Sequence, residues 1–196
     1  MNDIRFSFFD PSQPIWHLSG NLPHWRQEGV RYFVTFRLAD SIPQGKLRQW
    51  HHERDLWLKQ NPGPHTPEQI REFWSLFPER FHRWLDAGYG ACILRDDAIA
   101  KLLDDVLRHF DGERYELGAH MVMPNHVHAV VSPMPGHGLS GILHTWKSYS
   151  ANEINRMLRR NGVLWQKESF DHIVRSAPQL ARINSYILGN PKAGTK

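Results

Sequence analysis

The chain has 196 residues, 40% hydrophobic and 22% charged, with a formal net charge of +4, which suits one globular domain with a sizeable core. A single cysteine, Cys92, excludes an internal disulfide framework and a thiolate-rich zinc site, and fits a reducing compartment. There is no basic-then-apolar leader and no run near about 18 apolar residues, so neither a secretory signal nor a membrane span is expected.

Residues 1–29, rich in Pro and aromatics, read as an irregular segment wrapping the surface, and residues 30–196 as one domain. Val30–Leu38 alternates apolar and polar side chains and is rich in β-branched and aromatic residues, which predicts the first strand. Lys46–Leu58 and Pro67–Leu85 have helical spacing and are separated by the breaker run Asn61-Pro62-Gly63-Pro64. They form an expected helical hairpin over 46–85, inserted after the first strand. Ala91–Leu94 is a short apolar segment. Asp96 and Asp97 open a helix to about Phe110, with Ile99, Leu103, Val106 and Leu107 on its apolar face. Tyr115–Met123 and His126–Ser132 read as strands joined by a Pro124-Asn125 turn. Leu139–Arg160 reads as a long basic amphipathic helix after a loop over Pro133–Gly138. Val163–Gln166 and Phe170–Arg175 suggest a short β-hairpin. Pro178–Leu188 is the final helix, stopped by Gly189-Asn190-Pro191. This order predicts an α+β domain: an antiparallel sheet with helices packed on one face.

The densest chemical signal is Met121–Val131, MVMPNHVHAVV. In a strand with a side-chain period of two, His126 and His128 leave the same face and Val127 the other. Two adjacent imidazoles make half of a metal site. With 13 His in 196 residues, chance alone supplies about one His-x-His, so the flanking turn and strand carry the signal. The last helix offers the complement. Tyr186 and Asn190 are four apart on one helical face: a hydroxyl nucleophile and a hard oxygen ligand. From spacing alone, Tyr186 reads more readily as a packing residue and Asn190 as a helix cap.

Charge is unevenly placed. From His144 to Lys196 there are nine Lys and Arg against three acids. A basic third on a near-neutral body suggests a polyanionic partner, nucleic acid first. Lys147, Arg156, Arg159, Arg160, Lys167 and Arg175 are the candidate phosphate contacts, and Trp146 or Trp165 could stack bases or pack in the core.

The order PNHVH, Lys147-Ser148, Leu164-Trp165-Gln166, Phe170-Asp171-His172-Ile173-Val174-Arg175, Tyr186-Ile187-x-x-Asn190-Pro191 and Ala193-Gly194 resembles the REP-associated tyrosine transposases. These are single-tyrosine HUH enzymes of the insertion-sequence kind. The resemblance spans about Val30 to Gly194. It implies a ferredoxin-like fold, Tyr186 as nucleophile, and His126, His128 and Asn190 around Mg²⁺ or Mn²⁺. It implies a metal-dependent transposase that cleaves and rejoins single-stranded or hairpin DNA through a 5′-phosphotyrosine. The setting implied is the bacterial cytoplasm at the nucleoid, as a monomer or homodimer. Members usually continue past the Asn-Pro motif, whereas this sequence ends at Lys196, which leaves cover over the site open. Two alternatives remain: a domesticated protein that binds hairpins without cutting, and a hydrolase in which water attacks. Tyr149 is a rival nucleophile without the Asn, since position 153 is Glu. His172 reads as a structural histidine or as a further polar group near the metal.

Overall fold

A computed structural model describes residues 6–18 and 24–189. In chain order the elements are β1 (Trp16–Leu18), β2 (His24–Arg26), β3 (Tyr32–Arg37), α1 (Gln44–Gln60), α2 (Pro67–Trp74) and α3 (Arg80–Asp86). Then come α4 (Asp97–Arg108), β4 (Tyr115–Val122), β5 (His126–Pro133), α5 (Leu139–Met157), β6 (Phe170–Ile173) and α6 (Ala177–Gly189). No helix among the described residues is long and apolar enough to cross a membrane.

The strands β4-β5-β3-β6 form one antiparallel sheet in that order. With α4 and α5 as the crossovers this is the ferredoxin-like βαββαβ arrangement. All six residues of β3 are buried, because both faces of the sheet are covered. Tyr32, Val34 and Phe36 join Val127, Ala129 and Val131 of β5 under α4 and α5, with Leu103, Leu107, Ile142 and Trp146. This is the helix-covered face the periodicity predicted. The opposite face is covered as well. Phe33 and Val130 pack against Ile183, Tyr186 and Ile187 of α6, so helices lie on both faces. A helix end explains where α4 starts: the Asp96 side chain accepts from the backbone N–H groups of Ala98 and Ile99.

The inserted hairpin is present and longer than expected. Trp50 and Trp57 on α1 meet Phe73, Phe77 and Phe81, giving the insertion an aromatic core of its own. Pro78 has no N–H to donate, and a π-helical turn over Ser75–Glu79 joins α2 to α3 around it. The insertion is tied back to the domain at Gly90, which has φ +88° and whose added Cβ would lie 2.7 Å from the Asp40 carbonyl oxygen.

Besides the helices on one face only, three expectations need correction. The N-terminal segment is not wholly irregular, since β1 and β2 pair as a ribbon and Arg26 forms a salt bridge with Asp171 of β6. Val163–Gln166 and Phe170–Arg175 do not pair with each other. Both add to the β3 strand line, through a Leu38–Trp165 bridge and the β3–β6 ladder, because an open edge of β3 offers more backbone partners than a two-stranded ribbon. Finally, α5 ends at Met157, and Arg159 takes a left-handed φ of 49°, so Arg159 and Arg160 lie beyond the helix.

Candidate active site

His126 and His128 sit on the α6 face of the sheet, fully buried, and their Nε2 atoms face each other at 2.9 Å. The neighbouring groups hold both rings. Asn125 donates its amide to the Tyr89 carbonyl at 2.9 Å, which turns its Oδ1 toward His126 Nδ1 at 2.7 Å. His126 Nδ1 must therefore donate, and its Nε2 carries the lone pair. His128 Nδ1 lies 2.8 Å from the Thr35 hydroxyl, directly across the β3–β5 ladder. Burial, reinforced by the nearby His82, pushes the pKa of His126 down to about 3. Burial also takes His128 well below the usual imidazole value, with His126 and His82 adding to the shift. Both rings are neutral at physiological pH, as metal ligands must be.

Two other elements close on this pair. α6 brings the Tyr186 hydroxyl to 3.3 Å from His128 Nε2. α3 brings Asp86, whose Oδ2 accepts from that hydroxyl at 3.3 Å and whose Oδ1 lies 3.7 Å from His126 Nε2. One ligand atom from each of Asp86, His126 and His128 lies within 4.8 Å of the others. Neighbouring ligand atoms roughly 2.1 Å from an octahedral ion lie about 3 Å apart, so the imidazole spacing fits a shared divalent cation. Burial raises the Tyr186 pKa well above that of a free phenol, and the adjacent Asp86 carboxylate raises it further.

Rings pack the rest of the site. Phe33 stacks on His128 at 5.5 Å between ring centroids, and His82 of α3 stacks on Tyr186 at 6.2 Å. His172 packs against Phe33 and Trp74, and neither of its nitrogens has a hydrogen-bond partner among the described residues. It contributes a neutral ring, held near pKa 4 mainly by burial, and no ligand atom of it joins the close group.

The structure thus brings together His126, His128 and Tyr186. Asn190 falls outside the described residues. Thr35, Asn125, His82 and Asp86 were missed. The available signal for the last two was their i, i+4 spacing on a predicted helix, which puts both on one face.

Residues 87–190 match the family described as Transposase IS200 like. The chain belongs to this family of IS200-like transposases. No curated protein matches it. A REP-associated tyrosine transposase solved bound to a REP hairpin is 14% identical, with a TM-score of 0.45, covering 89% of this chain and 73% of that one. A protein from Deinococcus radiodurans R1 assigned as a transposase is 18% identical, with a TM-score of 0.41, covering 82% of this chain and 90% of that one.

The basic residues of the transposase divide into two groups. Arg156, Arg159, Arg160 and Lys167 are exposed, with Arg156 also paired to Glu153 and Arg160 close to the Val163 carbonyl. Arg175 is exposed and lies near the Phe9 and Trp25 rings. Lys147 differs. Its Nζ donates to the carbonyls of Gln166 and Lys167, each at 2.7 Å, and burial lowers its pKa to about 8. It ties a loop to α5 and is not presented with the others. Trp146 and Trp165 are both buried, so packing accounts for them.

Proposed function

We propose that this transposase cuts and rejoins single-stranded DNA, at hairpins formed by palindromic repeats, through a covalent 5′-phosphotyrosine on Tyr186. The observation supporting this is the approach of the Tyr186 hydroxyl to His128 Nε2, at 3.3 Å, from elements 58 residues apart in sequence. His126 and His128 would hold Mg²⁺ or Mn²⁺ together with an oxygen ligand, a place for which the resemblance implies Asn190. The bound ion supplies Lewis-acid polarisation of the scissile phosphate and charge stabilisation at the leaving oxygen.

The chain's own groups do the rest. The Tyr186 oxygen attacks phosphorus, the bond to the 3′ oxygen breaks, and the phenolic proton passes to that oxygen as a free 3′-hydroxyl forms. The phosphotyrosine is an ester like the one it replaced. A 3′-hydroxyl from another strand can therefore attack it, restoring both a DNA phosphodiester and the tyrosine without a nucleotide cofactor. Burial and the Asp86 carboxylate raise the Tyr186 pKa, so the phenol carries its proton when neither cation nor DNA is bound. His82 stacked on the ring holds the phenol in place. In-line access by a side chain on a helix requires an unpaired strand at the scissile bond. Arg156, Arg159, Arg160, Lys167 and Arg175 hold backbone phosphates, in the bacterial cytoplasm where chromosomal hairpins arise.

The test is covalent capture. Protein with Mn²⁺ and a hairpin from the DNA flanking its own gene should yield an adduct that survives denaturant and carries the DNA 5′-phosphate. Tyr186→Phe removes one oxygen and should abolish the adduct while folding and hairpin binding persist; Tyr149→Phe should leave it. Cleavage without an adduct would assign attack to water, and binding without cleavage would indicate a domesticated binder.

A further inference from the structure

Hard divalent cations favour oxygen, preferably anionic oxygen, and two neutral imidazoles with an amide would offer no negative charge at all. Asp86 supplies one. It occupies the last position of α3, where a carboxylate opposes the helix dipole, so helix stability does not account for it. The residue before it, Leu85, is buried in a small core with Ile42, just ahead of α1, and Leu47 of α1, which fixes the end of α3 against the start of the insertion. The carboxylate faces the His126–His128 pair and the Tyr186 hydroxyl together.

We propose that Asp86, delivered by the inserted helices, is the third ligand of the metal site, completing a set of two imidazoles and one carboxylate. This rests on the reading that His126 and His128 hold a divalent cation. One carboxylate oxygen joins the ion. The other accepts from Tyr186 and holds the nucleophile beside it. The insertion is then part of the active site and not an appendage to it.

The experiment is Mn²⁺ binding to the full chain without DNA, followed by loss of the free-ion paramagnetic signal, with thermal melts in chelator as the folding control. Asp86→Asn preserves shape and should weaken Mn²⁺ at least tenfold, and by more than Asn190→Ala does. Wild-type Mn²⁺ affinity in Asp86→Asn, or a larger loss in Asn190→Ala, overturns the assignment. His126→Ala and His128→Ala separate the two levels. If they abolish binding while Asp86→Asn does not, only the Asp86 assignment fails. If they too bind normally, the metal reading itself fails. A second variant guards against misfolding. Asp86→Cys should gain a Cd²⁺–thiolate absorption band in the ultraviolet, above the wild-type baseline that includes Cys92, and should lose it when His126→Ala is added. Absence of that band in folded protein also overturns the proposal.

Discussion

Phe36 and Thr35 are neighbours on β3 and sit in opposite worlds. Phe36 is wholly buried under α4 and α5, in contact with the Trp146 and Trp165 rings. Thr35 is 2% exposed on the other face, with its hydroxyl on His128. Both faces are buried, but they are closed by different means. One is filled by apolar volume, where stability depends on packing density. The other is filled by imidazole rings, and those of His126 and His128 have matched nitrogens, so a wrong side chain beside them leaves a buried polar atom without a partner. Substitutions on the first face should therefore be read in stability, and those on the second mainly in chemistry.

The strongest way to break this contrast is His126→Ala or His128→Ala. Each should bring nicking of hairpin DNA below detection and leave hairpin binding, which is proposed to rest on basic contacts, largely in place. Cleavage surviving in the double variant would deny the site face its chemical role. Next in size is Phe36→Ala, expected to cost about 3–5 kcal/mol in urea unfolding. Thr35→Val should cost less, about 1–3 kcal/mol for an unpaired ring nitrogen, and should act chiefly on nicking. Equal stability losses with equal activity would erase the distinction.

Acid should act through the histidine face. Burial lowers His82 and His172 from 6.5 to about 4 in the folded chain. The unfolded chain thus takes up protons first as pH falls. Their contribution is intact above about pH 6.5 and is lost between there and pH 4, by roughly 1.4 kcal/mol per pH unit for each histidine. Urea midpoints from pH 7 to pH 5 test this, and His172→Phe should flatten the decline. The smallest effects lie outside both faces. Replacing Arg156, Arg159 and Arg160 by Ala should reduce the salt dependence of single-strand binding by a slope of about 0.7 per lost phosphate contact. Lys147→Ala should leave that slope unchanged, because its ammonium is engaged by two carbonyls.

Legibility followed the range of the interactions. Strand alternation and helical spacing are local, and they located β3, β4, β5, α4, α5 and the inserted hairpin to within a few residues. Period two also put His126 and His128 on one face. Tyr186 was different: spacing left it ambiguous, and only its motif singled it out. Asp86 was invisible as a site residue because its partners lie 40 and 100 positions away, and a carboxylate ending a helix has no local signature. The setting of Lys147 was not legible for a related reason. Net charge counts an ammonium wherever it is, whereas its hydrogen bonds depend on a loop 19 and 20 residues on. The edge pairing of Trp165 was missed because a short apolar run does not name its partner.

The Thr35 hydroxyl carries a last consequence. With His126 Nδ1 committed to Asn125, the single proton between the two Nε2 atoms belongs to His128, and Thr35 donates to the other side of that ring. If the two rings hold a cation, this proton would have to leave Nε2, and the nearest vacancy is Nδ1 of the same imidazole, provided the hydroxyl turns from donor to acceptor. Loading would then move a proton across one ring and release none to solvent. Calorimetric heats of loading should be the same in buffers of different ionisation enthalpy, and a threonine rotor, rather than bulk acidity, sets the tautomer of the site.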